Sequence, residues 1–172
     1  RTHTCGELRA EHIGRVVTVA GWVNRRREHG ALAFVDLRDR YGLTQVVFDR
    51  AEWPEAFEAA EALGAEWVVA VDGEVAARIP GQENPDMATG AIEVRARALR
   101  VLGPADTPPF EVARELNVDE TLRLKHRYLD LRRERMKANL LLRHEVVRAT
   151  RGYLDALGFV DVETPILTRS TP

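Results

Sequence analysis

The first hundred residues alternate apolar and polar positions in short runs, and this alternation predicts strands. Val16-Val17-Thr18-Val19-Ala20-Gly21-Trp22-Val23 is β-branched with a period near two. Arg25 to Gly30 contains no apolar residue and reads as a polar connection. Leu32 to Asp39 forms a second alternating run, Tyr41-Gly42 a turn, and Leu43 to Phe48 a third run. The period then changes. Pro54 opens a stretch in which Ala56, Ala59, Ala60 and Leu63 share one side, predicting a helix over Glu55–Leu63 that Gly64 stops. Two strands follow: Trp67–Arg78, with a bulge expected at Gly73, and Ile92–Leu102, the most regular alternation in the chain. Ile79–Thr89, rich in Pro, Gly and Asn, is the loop between them.

Three strands, a helix and two more strands within about 100 residues fit a small closed sheet of the OB-fold type, a five-stranded barrel with its helix between strands 3 and 4. A β-sandwich needs more strands and no helix. Gly21, Gly73 and Gly90 permit the coiling that such a small barrel requires. Gly103-Pro104 ends this unit, and Thr107-Pro108-Pro109 makes an extended connector. From Asp119 the pattern turns helical. Asp119 or Thr121 can cap a first helix, to which Leu122, Leu124, Leu129 and Leu131 bring apolar contact. A second helix is expected from about Glu134 to Leu157, stopped by Gly158, and then a strand over Phe159–Pro165. Ser170-Thr171-Pro172 brings no terminal fold signal. The stretch is too short to bury its own apolar surface, so residues 121–172 are expected to open a larger α+β domain, with 1–102 the barrel and 103–120 a hinge. A chain that starts at Arg1 is expected to have lost at least its initiating Met.

Composition narrows the class. The chain is 45% apolar and 30% charged, which suits a packed core, and no apolar run approaches the ~20 residues of a membrane helix. No signal peptide is evident, so a cytoplasmic location is expected. One cysteine, Cys5, excludes an internal disulfide and a multi-cysteine zinc site. No phosphate-loop glycine motif and no metal-spaced histidine pair occurs; His126 and His144 are read as surface residues. The net charge of −2 hides an asymmetry: 13 basic and 16 acidic residues stand up to 102, but ten basic against three acidic within 121–151. That density suits phosphate contact or a solvated helix face.

Single-stranded nucleic acid on such a barrel requires an aromatic platform, cations for phosphates, and amides or carboxylates for base edges. Phe34 is the aromatic of strand two, Arg25 and Arg27 follow strand one, Gln45 is polar within an apolar third strand, and Glu93 is a carboxylate in the last strand. Singly, each has an ordinary structural explanation; together they name one face. The acidic balance of 1–102 argues against charge-driven, nonspecific binding and for few contacts with base readout.

With these residues in view, the chain resembles the bacterial aspartyl-tRNA synthetases of class II. The resemblance rests on Gly21-Trp22-Val23-Asn24-Arg25-Arg26-Arg27, Phe34-Val35-Asp36-Leu37-Arg38-Asp39, Asp86-Met87-Ala88-Thr89-Gly90, Arg127-Tyr128-Leu129-Asp130-Leu131-Arg132-Arg133, and Gly158-Phe159 with Glu163-Thr164-Pro165, in this order over the whole chain. It implies an N-terminal anticodon-binding barrel, a hinge, and the start of a catalytic domain whose motif 1, around Gly158, Phe159 and Pro165, forms a homodimer interface. It also implies that Phe34 stacks on the middle anticodon base, uracil, with Arg27 and Gln45 hydrogen-bonding nearby. Glu93 would read the first base, and Arg78 with the following loop would meet the third. The family joins aspartate to ATP with Mg²⁺ and passes the aspartyl group to the tRNA 3′ end. The residues for that chemistry are expected beyond Pro172, so this chain is expected to hold no catalytic residue, metal or cofactor and to be inactive alone. His29 and Gly81 resemble the pair in enzymes that charge both tRNA(Asp) and tRNA(Asn). A glycine at 81 removes a side chain that could reject the wrong third base. Two other readings are a tRNA(Asp)-only ligase and a stand-alone OB-fold nucleic-acid-binding protein.

Overall fold

A computed structural model describes residues 1–114 and 116–167; the segment Ser170-Thr171-Pro172 lies outside the described residues. Five strands, β1 (Val16–His29), β2 (Leu32–Arg38), β3 (Leu43–Asp49), β4 (Val68–Ala77) and β5 (Ile92–Gly103), close into a barrel in the order β1-β2-β3-β5-β4. All neighbours pair antiparallel except β3 and β5, which run parallel through Val46↔Val94 and Val47↔Arg95. Alternation explains the interior. Val17, Val19 and Val23, then Val35 and Leu37, then Val46 and Phe48, then Val69, Val71 and Val75, then Ile92 and Val94 are all buried in one cluster. Helix α1 (Pro54–Glu61), with proline in its first turn, packs on β3 and β5 and adds Phe57 and Ala60 to that core. Leu8 and Cys5 join it from the N-terminal segment. Burial, reinforced by Asp39, pushes the Cys5 thiol up to about 12, so it acts as a small apolar residue and not as a nucleophile.

Three register shifts interrupt simple alternation; one lies at the start of β4, between Val68↔Gly103 and Val69↔Val101, and two shape the barrel further along. The β4–β5 register slips beside Gly73, Asp72 facing Ala98 and Gly73 facing Ala96, so the bulge expected at Gly73 lies instead on the partner strand. The extra residue is Arg97, on β5. The other shift corrects the reading of Arg25–Gly30 as a connection. These residues continue β1, which pairs with β2 as far as His29↔Leu32. The register shifts between Val23↔Leu37 and Arg25↔Asp36, leaving Asn24 as a bulge. Backbone ladder bonds hold this extension, so it needs no apolar side chains to mark it.

Beyond the barrel a second, smaller apolar cluster forms. Phe110 and Val112 of the connector bury against Leu129, with Val118 and Leu122 beside them. Asp119 caps α2 (Glu120–Lys125), its Oδ1 accepting from the N–H groups of Thr121 at 2.9 Å and Leu122 at 3.3 Å. The expected first helix is divided into α2 and the single turn α3 (Arg127–Asp130), and Leu124 is exposed. Three arginines of this basic region have a structural partner. Arg123, Arg127 and Arg133 converge on the fully buried Asp130, at 2.9, 2.6 and 3.6 Å. Helix α4 (Glu134–Ala156) follows and ends as expected. Gly158 takes φ +85°, and the Phe159 N–H donates to the Leu154 carbonyl at 3.1 Å, a Schellman cap. The strand expected over Phe159–Pro165 is absent. An extended segment becomes a strand only when another strand satisfies its backbone, and here Phe159, Val160 and Val162 are exposed.

Candidate nucleic-acid interface

The bulge at Asn24 determines which way the arginines of β1 point. In an uninterrupted strand, Arg25 and Arg27 would share the inward phase of Val19 and Val23. The extra residue reverses the phase, so Arg25 faces Asp36 and Arg27 faces Phe34 on the outer side of the sheet. Phe34 and Asp36 are outward positions of β2, alternating with buried Ala33, Val35 and Leu37. Asp36 pairs with Gln45 on β3, and the parallel β3–β5 register puts Gln45 beside Glu93. One outer row thus crosses β1, β2, β3 and β5.

The polar side chains of this row form a directed chain. Arg27 Nη2 donates to Asp36 Oδ1 at 3.0 Å and to Gln45 Oε1 at 3.4 Å. Gln45 Nε2 donates to Glu93 Oε2 at 3.3 Å. The Gln45 amide is therefore oriented from both ends, which accounts for a nearly buried glutamine, 7% exposed, in an apolar strand. Burial pushes the Glu93 carboxyl above the usual carboxylate range, while Arg95, Arg78 and the Gln45 hydrogen bond pull it back. Arg78 is buried too. Its Nε donates to the Ile92 carbonyl at 3.0 Å, and burial lowers its affinity for its proton despite Glu93 and Asp36 nearby.

Six of the residues singled out in the sequence, Arg27, His29, Phe34, Gln45, Arg78 and Glu93, line one open concavity of about 360 Å³. Gln82, from the loop expected to meet the third base, and Glu28 complete its wall; Glu28 was not anticipated, nor was Asp36, the anchor of Arg27. The signal for Asp36 was its place two residues after Phe34, on the same face of β2. Arg25 does not enter the concavity. It lines a neighbouring hollow with Asn24, Asp36, Glu66 and the connector from Thr107 to Arg114. Gly81, next to Gln82, has φ +85°, and a Cβ there would meet nothing within 4 Å. The backbone itself thus favours glycine at 81, and a longer side chain would project into open space. Gly158, Phe159 and Pro165 stand at and beyond the end of α4, outside this site. Among the described residues no cluster of His, Cys, Asp and Glu could hold a metal ion.

The half-buried aromatic face of Phe34, a carboxylate with an acceptor oxygen held in place, and two arginines are the kinds of group that binding an unstacked base and its neighbours requires. Comparison with known proteins agrees with that chemistry. The model of the family described as "OB-fold nucleic acid binding domain" matches residues 17–102, and that described as "tRNA synthetases class II (D, K and N)" matches 119–172. The chain is 61% identical over its whole length to an aspartate–tRNA(Asp/Asn) ligase of Rubrobacter xylanophilus and 56% identical to one of Halothermothrix orenii. It covers 28% and 29% of those proteins, so it spans under a third of the length of the curated relatives it matches. Among solved structures, asparaginyl-tRNA synthetase from Pyrococcus horikoshii superposes with a TM-score of 0.81 at 30% identity, over 97% of this chain and 38% of that one. Aspartyl-tRNA synthetase from Entamoeba histolytica shares the fold, with a TM-score of 0.86 at 20% identity over 97% of this chain and 40% of that one. The chain therefore belongs to the OB-fold nucleic acid binding domain family, in the form that is joined to a class II tRNA synthetase segment of the D, K and N group.

Proposed function

We propose that this chain is the anticodon-reading part of an aspartate–tRNA ligase that serves both tRNA(Asp) and tRNA(Asn). The observation that carries the reading is Phe34 beside the oriented chain Arg27–Gln45–Glu93 on one outer face. A splayed uracil at the middle anticodon position stacks on Phe34. A guanine at the first position presents N1–H and N2–H donors, and Glu93, held by Gln45, accepts them. The third base, C or U, falls toward Arg78 and the 79–89 loop. That loop offers no side chain at Gly81 to tell an amino donor from a carbonyl acceptor. The names of the relatives, aspartate–tRNA(Asp/Asn) ligases, support the relaxed third-base specificity.

The whole enzyme activates aspartate with ATP and Mg²⁺, transfers it to the tRNA 3′ end in the cytoplasm, and pairs into a homodimer through the region of Gly158, Phe159 and Pro165. No residue of this chain is assigned to ATP or Mg²⁺ in this reading, and aspartate-dependent ATP–pyrophosphate exchange by the chain alone would refute that assignment. The deciding experiment is a titration of the chain with three stem-loop RNAs, carrying the tRNA(Asp) anticodon, the tRNA(Asn) anticodon, and a purine at the middle position. Equal binding of the first two and a loss of about tenfold or more for the third are expected. Indifference to the middle base removes the anticodon reading.

A further inference from the structure

Glu66 touches none of the residues proposed to meet RNA, yet it is 6% exposed and has φ +63°, the one positive value outside glycine among the described residues. A buried carboxylate on a left-handed backbone persists only where its surroundings hold it firmly. They do so from three sides. Arg38 Nη2 donates to Glu66 Oε1 at 2.7 Å and Oε2 at 2.9 Å. Arg132, from the turn after α3, lies 3.5 Å from Oε2 and stacks its guanidinium 4.7 Å from the centre of the Trp22 ring. The Glu66 N–H donates to the Val23 carbonyl at 2.8 Å, and the Val23 N–H donates to the Trp67 carbonyl at 2.9 Å.

These contacts meet at the bulge. Arg38 uses its other terminal nitrogen, Nη1, to donate to Asn24 Oδ1 at 2.6 Å, and Asn24 is the extra residue that turns Arg25 and Arg27 outward. Glu66 thus grips the bulge twice, by its own backbone at Val23 and through Arg38 at Asn24. By Arg132 the same carboxylate also fastens the helical segment to the barrel. We infer that Glu66 is a positioning residue for RNA recognition: it fixes the Asn24 bulge that aims Arg27 and ties that aim to the docking of the helical segment. This inference rests on the anticodon reading above only for the identity of the RNA.

A double-mutant cycle on the intact chain tests it, with the tRNA(Asp) anticodon stem-loop as probe and fluorescence anisotropy as readout, at a temperature where melting curves show every variant folded. Glu66→Gln keeps the size and the backbone strain of the site but removes the charge. Weakening by about three- to tenfold is expected, within the usual range of coupling between contacting residues. In an Arg27→Ala background the same change should cost less than about twofold, because the side chain being aimed is gone. Unchanged binding by Glu66→Gln, or a full penalty without Arg27, overturns the inference. Should Glu66→Gln not fold, Arg132→Ala takes its place, since this arginine is part-exposed; the same two comparisons decide. Hydrogen exchange of the Arg25–Arg27 amides in RNA-free protein separates this inference from the anticodon reading. Faster exchange in the variant supports the hold on the bulge whatever RNA is bound, and unchanged exchange overturns it. Loss of middle-base preference in the wild type strikes the anticodon reading alone.

Discussion

Replacing Phe34 separates a binding platform from a structural filler. The ring is half-buried on the outer face, directly across from Arg27 on β1 and Val47 on β3. One base–aromatic stack is worth about 1–3 kcal/mol, so Phe34→Ala should raise the Kd for the anticodon stem-loop by about five- to 150-fold. The fold should pay less than for a core phenylalanine, about 1–2 kcal/mol against the ~3–5 of full burial, because water already reaches one side of the ring. Phe34→Leu sharpens the test. Leucine keeps most of the apolar contact with the sheet but has no π-face, so stability should stay within about 0.5 kcal/mol while most of the stacking loss remains. Anisotropy titrations paired with urea melts of the three proteins measure both quantities. If Phe34→Leu binds within twofold of the wild type, the ring is only a greasy surface and no base stacks there. If Phe34→Ala costs more than about 3 kcal/mol of stability, the side chain is core.

The other predictions concern charge and specificity. Burial raises the Glu93 pKa, so the folded state holds that proton more tightly than the unfolded chain, and stability falls as pH rises through the carboxylate range. Glu93→Gln should flatten this slope and raise the melting midpoint at neutral pH. It should also weaken binding of a guanine-first loop by about 1.5–3 kcal/mol, since an acceptor carboxylate is lost; a variant that melts lower and binds normally refutes the role. Asp130 is the opposite case. The Arg123 hydrogen bond first, then the charges of Arg123, Arg127 and Arg133, hold its carboxyl below the usual range. Its contribution is present above the ordinary aspartate pKa and is lost as pH falls through the depressed value. Asp130→Asn should cost about 2–3 kcal/mol, less than the ~3–5 of a fully buried pair because Arg123 and Arg127 keep contact with water; its acid melt, followed by helical circular dichroism, should lose the low-pH transition. In the full-length enzyme, His29→Leu with Gly81→Asn should cut charging of tRNA(Asn) relative to tRNA(Asp) by about 1–3 kcal/mol. A wild type that already rejects tRNA(Asn) a hundredfold removes the significance of both residues.

The barrel was legible because its strands obey period two with apolar residues inward: Ile92–Gly103 and Leu32–Arg38 appear almost where alternation put them. Legibility failed where the stabilising term is not apolar burial. Arg25–His29 carries no hydrophobic residue, and only the backbone pairing with β2 makes it strand. Phe159–Pro165 has the right composition for a strand but no partner among the described residues, and strand structure belongs to a pair. The basic run after 121 shows another limit. Counting charges includes Asp130 but does not show that this acid is fully buried under three arginines.

The candidate site divides along the same line. Residue type brought Phe34, Gln45 and Glu93 forward as an aromatic, an amide within an apolar third strand and a carboxylate, and they share one face because each sits at an outward position of its own strand. Arg27 joins them for a reason that no residue type announces. One extra residue, Asn24, changes the phase of β1, and the register against β2 then sets Arg27 across from Phe34. The same slip carries Arg25 to Asp36 and the next hollow, where it meets the connector and not the concavity. The position of Arg27 is thus a property of strand pairing, and strand pairing at that point is held by Arg38 and Glu66, remote in sequence and unremarkable in type. Residues that contact a ligand can be proposed from their chemistry; residues that aim them become visible only once the register is known.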